Sequence, residues 1–266
     1  MVPANLDPTW LIIAAAATLI GVTKSGFGSG LGLLVVPVIA MAMGNLPGYG
    51  PEAGLGLMLP LLIIGDIIAV AQNRKEFDRQ AIHYLLPGTV VGVVIGAAVL
   101  YWFHQKPPQV LAALIKIEVG LECLLLTGLH YWRRWRGARQ SLMKEPLRGG
   151  LTGAAAAVSS TLAHAAGPII AMYLIPLRMG RRAFVGTSAL YFFILNTAKL
   201  PAYLAAGMFD SVQLNLITIL TPLVLIGAAI GALMVKRLSD RIFTQVVYGA
   251  TVITGAWVLM DGFRAL

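Results

Sequence analysis

The chain has 266 residues, of which 58% are hydrophobic and only 12% charged, with 29 glycines and 14 prolines. A soluble domain of this size carries about a quarter charged residues, so the composition excludes a soluble globular protein and leaves no length for an appended soluble catalytic domain. Twenty Lys and Arg against eleven Asp and Glu give a net charge of +9; because these charges sit between apolar runs, they report membrane orientation rather than nucleic-acid binding.

The stretch Met1 to Thr9 holds Asp7 and no Lys or Arg, so the first apolar run lacks the basic flank of a signal peptide and is expected to be retained. That run, residues 10–44, is interrupted at Lys24-Ser25-Gly26-Phe27-Gly28-Ser29-Gly30. Three uninterrupted runs at about 53–72, 80–103 and 108–131 follow, each long enough for a membrane helix. The basic segment 133–148 reads as a cytoplasmic linker. A second interrupted run, residues 149–177, breaks around His164-Ala165-Ala166-Gly167-Pro168, and three more spans are expected at about 183–205, 211–235 and 243–263. Cys123 is the single cysteine, which excludes an internal disulfide and a cysteine-based metal cluster within the chain. No metal and no cofactor is expected.

Each half of an interrupted run spans about 16 to 22 Å as a helix, short of the roughly 30 Å hydrocarbon core. If both runs return to the side they entered from and the N-terminus lies outside, fifteen basic residues fall inside and only Lys106 and Arg264 outside, as the positive-inside rule favours. Two thin full spans would give the same parity; the short arms and glycine-rich breaks favour a re-entrant hairpin, which survives at membrane depth only where protein or a watery cavity surrounds it.

The interrupted runs also match each other. Residues 25–44 lie over 161–180 at a constant offset, placing Gly28 over His164 and Gly44 over Gly180. Further on, Phe77-Asp78 corresponds to Phe209-Asp210, and Gly92 and Gly96 correspond to Gly227 and Gly231. The expected fold is therefore an all-α polytopic membrane protein built as an inverted repeat. Residues 1–132 and 149–266 form the two units, each a broken-helix hairpin plus three transmembrane helices, with both termini outside.

Charges inside apolar runs cost about 2.5 to 3.5 kcal/mol each at a helix centre, so each needs a partner or a task. Lys24 stands at the first break beside Ser25, Gly26, Gly28, Ser29 and Gly30, where bare backbone N–H groups suit an anion. His164, Thr161 and Gly167 hold the second break, and helix arms starting near Gly30 and Gly167 would direct their positive ends at the same region. Asn196 and Lys199 share one face of the run 183–205 and suit an oxyanion by amide and charge; Lys199 has the alternative of snorkelling to the outer surface. Asp66 occupies the matching place in the first unit, at a different depth, so a direct Asp66–Lys199 pair is not expected. Glu118 and Glu122 share a helix face and are proton-transfer candidates with Asp66 and His164, although a structural ion pair with Lys116 explains them as well. The Gly92/Gly96 and Gly227/Gly231 pairs read as packing seams.

The segment Ser25-Gly-Phe-Gly-Ser-Gly-Leu-Gly-Leu-Leu-Val-Val-Pro37, its partner His164-Ala-Ala-Gly-Pro168, and the later Gly186-Thr187 and Asn196-Thr-Ala-Lys199 resemble the TauE/SafE family of sulfite and organosulfur-anion transporters. The resemblance spans nearly the whole chain, with Leu31 and Ala166 standing where several members carry further glycines. It implies a multi-pass protein of the bacterial cytoplasmic (inner) membrane that moves sulfite, sulfoacetate or a related small sulfur-containing anion. Its partners are then that substrate and the lipid bilayer, with a coupling proton or sodium ion and a homodimer left open. The expected mechanism is alternating access in a secondary carrier; the alternative is a passive anion channel. An intramembrane serine hydrolase is disfavoured, because Ser29 lacks the Gly-x-Ser-x-Gly elbow.

Overall fold

The structure, a computed structural model, describes residues 8–27, 51–104, 146–210 and 214–237 without interruption, together with separate positions between 35 and 49, 110 and 132, and 245 and 264. Gly28, Ser29, Gly30, Lys106, Lys116, Glu118, Glu122, Cys123 and most of the linker 133–148 lie outside the described residues.

Helix α1 (Pro8–Val22) runs directly into one π-helical turn (Thr23–Phe27). It is followed by α2 (Pro51–Gln72), α3 (Arg79–His104), α4 (Pro146–Ala163) and α5 (Gly167–Leu174) with a closing 3₁₀ turn (Ile175–Leu177), then α6 (Arg181–Ala205) and α7 (Leu214–Arg237). Among the described residues five helical stretches are long and apolar enough to cross a bilayer: Pro8–Gly26, Ala53–Gln72, Arg79–Trp102, Arg181–Ala205 and Leu214–Met234. The last four fall on expected spans. The described positions of the expected spans 108–131 and 243–263 are helical as well, and Gly120 of the first lies directly against the backbone of Leu259 in the second.

The first break differs from the expectation. Instead of ending at Lys24, the helix is carried on to Phe27 by the wider π turn, so this arm is long enough to cross. A π turn inserts an extra residue without giving up the axial hydrogen-bond ladder, and Ser25-Gly26 is the small-residue stretch that accommodates it. The second break is sharper. α4 stops at Ala163, His164 takes a left-handed conformation (φ 52°), and α5 holds 8 residues, about 12 Å of helix and too short to cross.

Four of the long helices carry one interior proline: Pro60 in α2, Pro87 in α3, Pro201 in α6 and Pro222 in α7. Each deletes one ladder hydrogen bond, which membrane helices tolerate when neighbouring groups re-satisfy the freed carbonyl. Two seams then set the packing. α3 lies along α4 and α1 lies along α7, and both contacts run over glycine. A methyl group added at Gly92 would land on the carbonyl oxygen of Ala154, and one at Gly227 on the carbonyl oxygen of Thr18. Backbones this close gain dispersion contacts that lipid tails cannot replace. The apolar core follows the seams, with Ile20, Leu57, Leu61 and Val224 buried on one side and Leu85, Ala157, Tyr191 and Leu195 on the other. Val90, Val94, Ile95, Ile226 and Leu233 face outward, the surface a bilayer would cover. Between the seams α2 packs on α6, and this central pair carries the buried Asp66 and Lys199.

Candidate functional site

The site starts at the π turn. Thr23 turns its hydroxyl back to the carbonyl of Ile20 (2.9 Å), which leaves Lys24 as the turn's reaching side chain. Space for it comes from Gly65 on α2, where an added Cβ would sit 3.3 Å from Lys24 Cγ. The ammonium of Lys24 meets Asp66 Oδ1 at 2.7 Å, and it lies 4.5 Å from the ring centre of Phe192 on α6, where the π face adds to its stabilisation. Asn196 donates from Nδ2 to the other carboxylate oxygen of Asp66 at 2.7 Å. Asp66 is thus fixed between a π turn and a helix from opposite halves of the chain, and it is fully buried.

Three residues further along α6, Lys199 is also fully buried, so it does not snorkel. Its ammonium donates to Ser160 O (2.8 Å), to Ser160 Oγ (3.0 Å) and to His164 Nδ1 (2.9 Å). These three bonds use all three of its N–H donors. With Nδ1 accepting, the imidazole proton belongs on Nε2, which lies 3.1 Å from the carbonyl of Leu55 and 3.3 Å from the hydroxyl of Tyr203. Tyr203 in turn donates to Thr161 O at 2.9 Å. Every donor in this chain has an acceptor.

His164 owes its position to the backbone. Its N–H closes the last turn of α4 on Ser160 O (3.0 Å), and its left-handed φ turns the chain into Ala165, Ala166 and the opening of α5 at Gly167. Glycine is the usual residue in that conformation, and histidine is among the few others that adopt it. A strained position occupied by a hydrogen-bonding side chain is the pattern of a functional site.

The expected residues therefore divide. Lys24, Asp66 and Asn196 form one buried cluster and Lys199 and His164 a second, the two carried side by side by Asn196 and Lys199 on α6, with Asp66 joined to Lys24 and not to Lys199. Thr161 lies beside it, but its hydroxyl bonds Ala157 O at 2.8 Å and its side chain packs against Gly96. Gly26 is turned toward Gly231 of α7. Ser25 is buried, and its hydroxyl, like that of Ser188 on α6, has no hydrogen-bond partner among the described residues. Sequence reasoning missed Ser160, Phe192, Ser188 and Tyr203. Ser160 precedes His164 by four residues, Tyr203 follows Lys199 by four, and Ser188, Phe192 and Asn196 repeat at the same interval, so helical spacing from the chosen residues would have found them all.

Among the described residues the network holds two buried lysines against one buried carboxylate. Helices that are apolar throughout, with an ionic centre sealed between them at a π turn and a left-handed break, define a polytopic membrane protein whose polar machinery lies within the apolar helix bundle. The chain matches the family model Sulfite exporter TauE/SafE over residues 13–258, nearly its whole length, and it belongs to that family. Membership implies a membrane transporter of sulfite and organosulfur anions. No curated protein and no solved structure matches the chain.

Proposed function

We propose that the chain is a secondary carrier that binds a small sulfur oxyanion or organosulfonate, such as sulfite or sulfoacetate, at the Lys24–Asp66–Asn196–Lys199 network and exposes it alternately to the two sides of the bacterial cytoplasmic membrane. The observation that carries the reading is the excess of buried lysines, Lys24 and Lys199, over the buried carboxylate Asp66 among the described residues. Lys199 has no carboxylate partner among the described residues, so a bound anion would serve as the counter-ion of its charged form, an attraction far stronger in a low-dielectric setting than in water. Ser25 and Ser188 bring buried hydroxyls that still lack a partner, as donors to a ligand would.

Alternating access fits the duplicated sequence and the matched glycine seams. In an inverted repeat each broken helix packs against a helix of the other unit, and the contacts α1 with α7 and α3 with α4 follow that rule. In this reading the second break, from α4 to the short α5, is the re-entrant element, both termini lie outside and the basic linker lies inside. His164 links the break to α6, so a movement of α4 and α5 against α2 would alter the network directly.

Counterflow in proteoliposomes against sulfite, thiosulfate, sulfoacetate, taurine and sulfate tests the proposal. Saturable, trans-stimulated exchange of at least one sulfur anion is expected, with Lys24→Ala and His164→Ala each weakening it while the protein stays folded in detergent. Flux that rises without saturation and shows no trans-stimulation would identify a channel, and normal exchange by both variants would move the site elsewhere.

A further inference from the structure

We infer that the anion and a proton bind together, with Asp66 as the proton acceptor and Lys24 as the group they exchange. The inference rests on the anion site proposed above and names the ion coupled to it.

The two lysines of the network are not equally available. Lys199 has spent its three donors on Ser160 and His164. Among the described residues Lys24 has one polar partner, Asp66 at 2.7 Å, and its ammonium lies 4.5 Å from the centre of the Phe192 ring. An arriving anion therefore takes Lys24. There it meets a buried carboxylate holding the same ammonium, and two neighbouring negative groups sharing one cation cannot both stay ionised cheaply.

Among the described residues no other side chain relieves the conflict. Asp66 faces Lys24 from the π turn and Asn196 and Lys199 from α6, with His164 beyond Lys199. Asn196 is a neutral donor, and Lys199 is not in contact with Asp66. The apolar Ile20 lines the α1 side, and α7 carries no charged residue between Leu214 and Val235. A proton from the aqueous side that adds to the carboxylate of Asp66 removes its charge, leaves Asn196 a carbonyl-type acceptor, and releases the ammonium of Lys24 to the anion. Loss of the proton on the other side reverses the exchange. The network gains one positive and, for a monovalent anion, one negative charge, so transport of such an anion is electroneutral.

The test is proton uptake on ligand addition, read with an indicator dye in weakly buffered detergent solution. The probes are thiosulfate and sulfoacetate, neither of which titrates near neutral pH. Wild-type protein is expected to take up about one proton per anion bound, with affinity falling up to about tenfold per pH unit as pH rises; Asp66→Asn is expected to bind the anion with no proton uptake and little pH dependence. Asn196→Ala provides an arm independent of how well D66N folds: removing the amide that stabilises the carboxylate extends tight binding to higher pH. Wild-type binding without proton uptake, proton uptake retained in D66N, or an unchanged pH profile in N196A would each overturn the inference. Failure of wild-type protein to bind either probe would overturn the anion site itself, an outcome distinct from binding without a proton.

Discussion

Asp66 on α2 and Lys199 on α6 each meet a helix irregularity: Asp66 pairs with Lys24 of the π turn at 2.7 Å and Lys199 bonds His164 at the left-handed break at 2.9 Å. The chemistry of the two differs. The first sets a carboxylate against a lysine and the second a lysine against a histidine, and Asn196, which donates to Asp66, stands on the same helix as Lys199. Among the described residues Lys199 is the buried lysine without a carboxylate partner.

Removing one partner of the Lys24–Asp66 pair should cost more than removing both. Lys24→Ala leaves a sealed carboxylate unpaired, a loss of about 3 to 5 kcal/mol in buried pairs. The double variant Lys24→Ala, Asp66→Asn removes that charge, so its thermal midpoint in detergent should recover most of the drop. Anion exchange should be weakened in both. A double variant as unstable as the single one would mean that the pair is not what Lys24 contributes to folding.

His164 separates backbone strain from side-chain function. His164→Ala keeps the left-handed strain and loses the bonds to Lys199 and Leu55, whereas His164→Gly loses the same bonds and relieves the strain. The glycine variant should be the more stable of the two by about 1 kcal/mol, with anion exchange equally impaired. Thermal unfolding and counterflow on the same preparations check both statements.

The glycine seams give a stability contrast unrelated to charge. A methyl group at Gly92 or Gly227 would overlap the carbonyl oxygen of Ala154 or Thr18, so Gly92→Ala and Gly227→Ala should each destabilise by about 1 to 3 kcal/mol through forced backbone separation. Gly128, where an added Cβ meets nothing within 4 Å, should tolerate alanine with a change inside about 0.5 kcal/mol. Midpoints in detergent distinguish the three.

Tyr203→Phe removes one hydrogen bond from the far end of the network and leaves the carbonyl of Thr161 without that donor. A loss of about 1 to 2 kcal/mol is expected. Lys199 keeps all three of its partners in this variant, so exchange should persist at reduced rate; complete loss of exchange would show that Tyr203 acts on the anion directly.

The membrane class and most long helices were legible because their signal is composition over twenty residues, as in the runs that became α2, α3, α6 and α7. The seams were legible at Gly92 and Gly227, where spacing alone marks a face. Lys24, Asp66, Asn196, Lys199 and His164 were legible as candidates because a charge, amide or histidine in an apolar run demands a partner, and the structure gives each one. Their pairing was not: which carboxylate meets Lys24 depends on how the π turn packs against α2, which no local pattern encodes. The π turn was also hidden, since Lys24-Ser25-Gly26 reads equally as a helix break, and only packing against α2, α6 and α7 decides that the helix continues to Phe27.

Density for a bound anion tests the central claim most directly. A cryo-EM map of the full chain with saturating thiosulfate should show the ligand within hydrogen-bond reach of Lys24 Nζ, with the Lys24–Asp66 contact lengthened from its 2.7 Å. Ligand density away from both Lys24 and Lys199, with that contact unchanged, would contradict it.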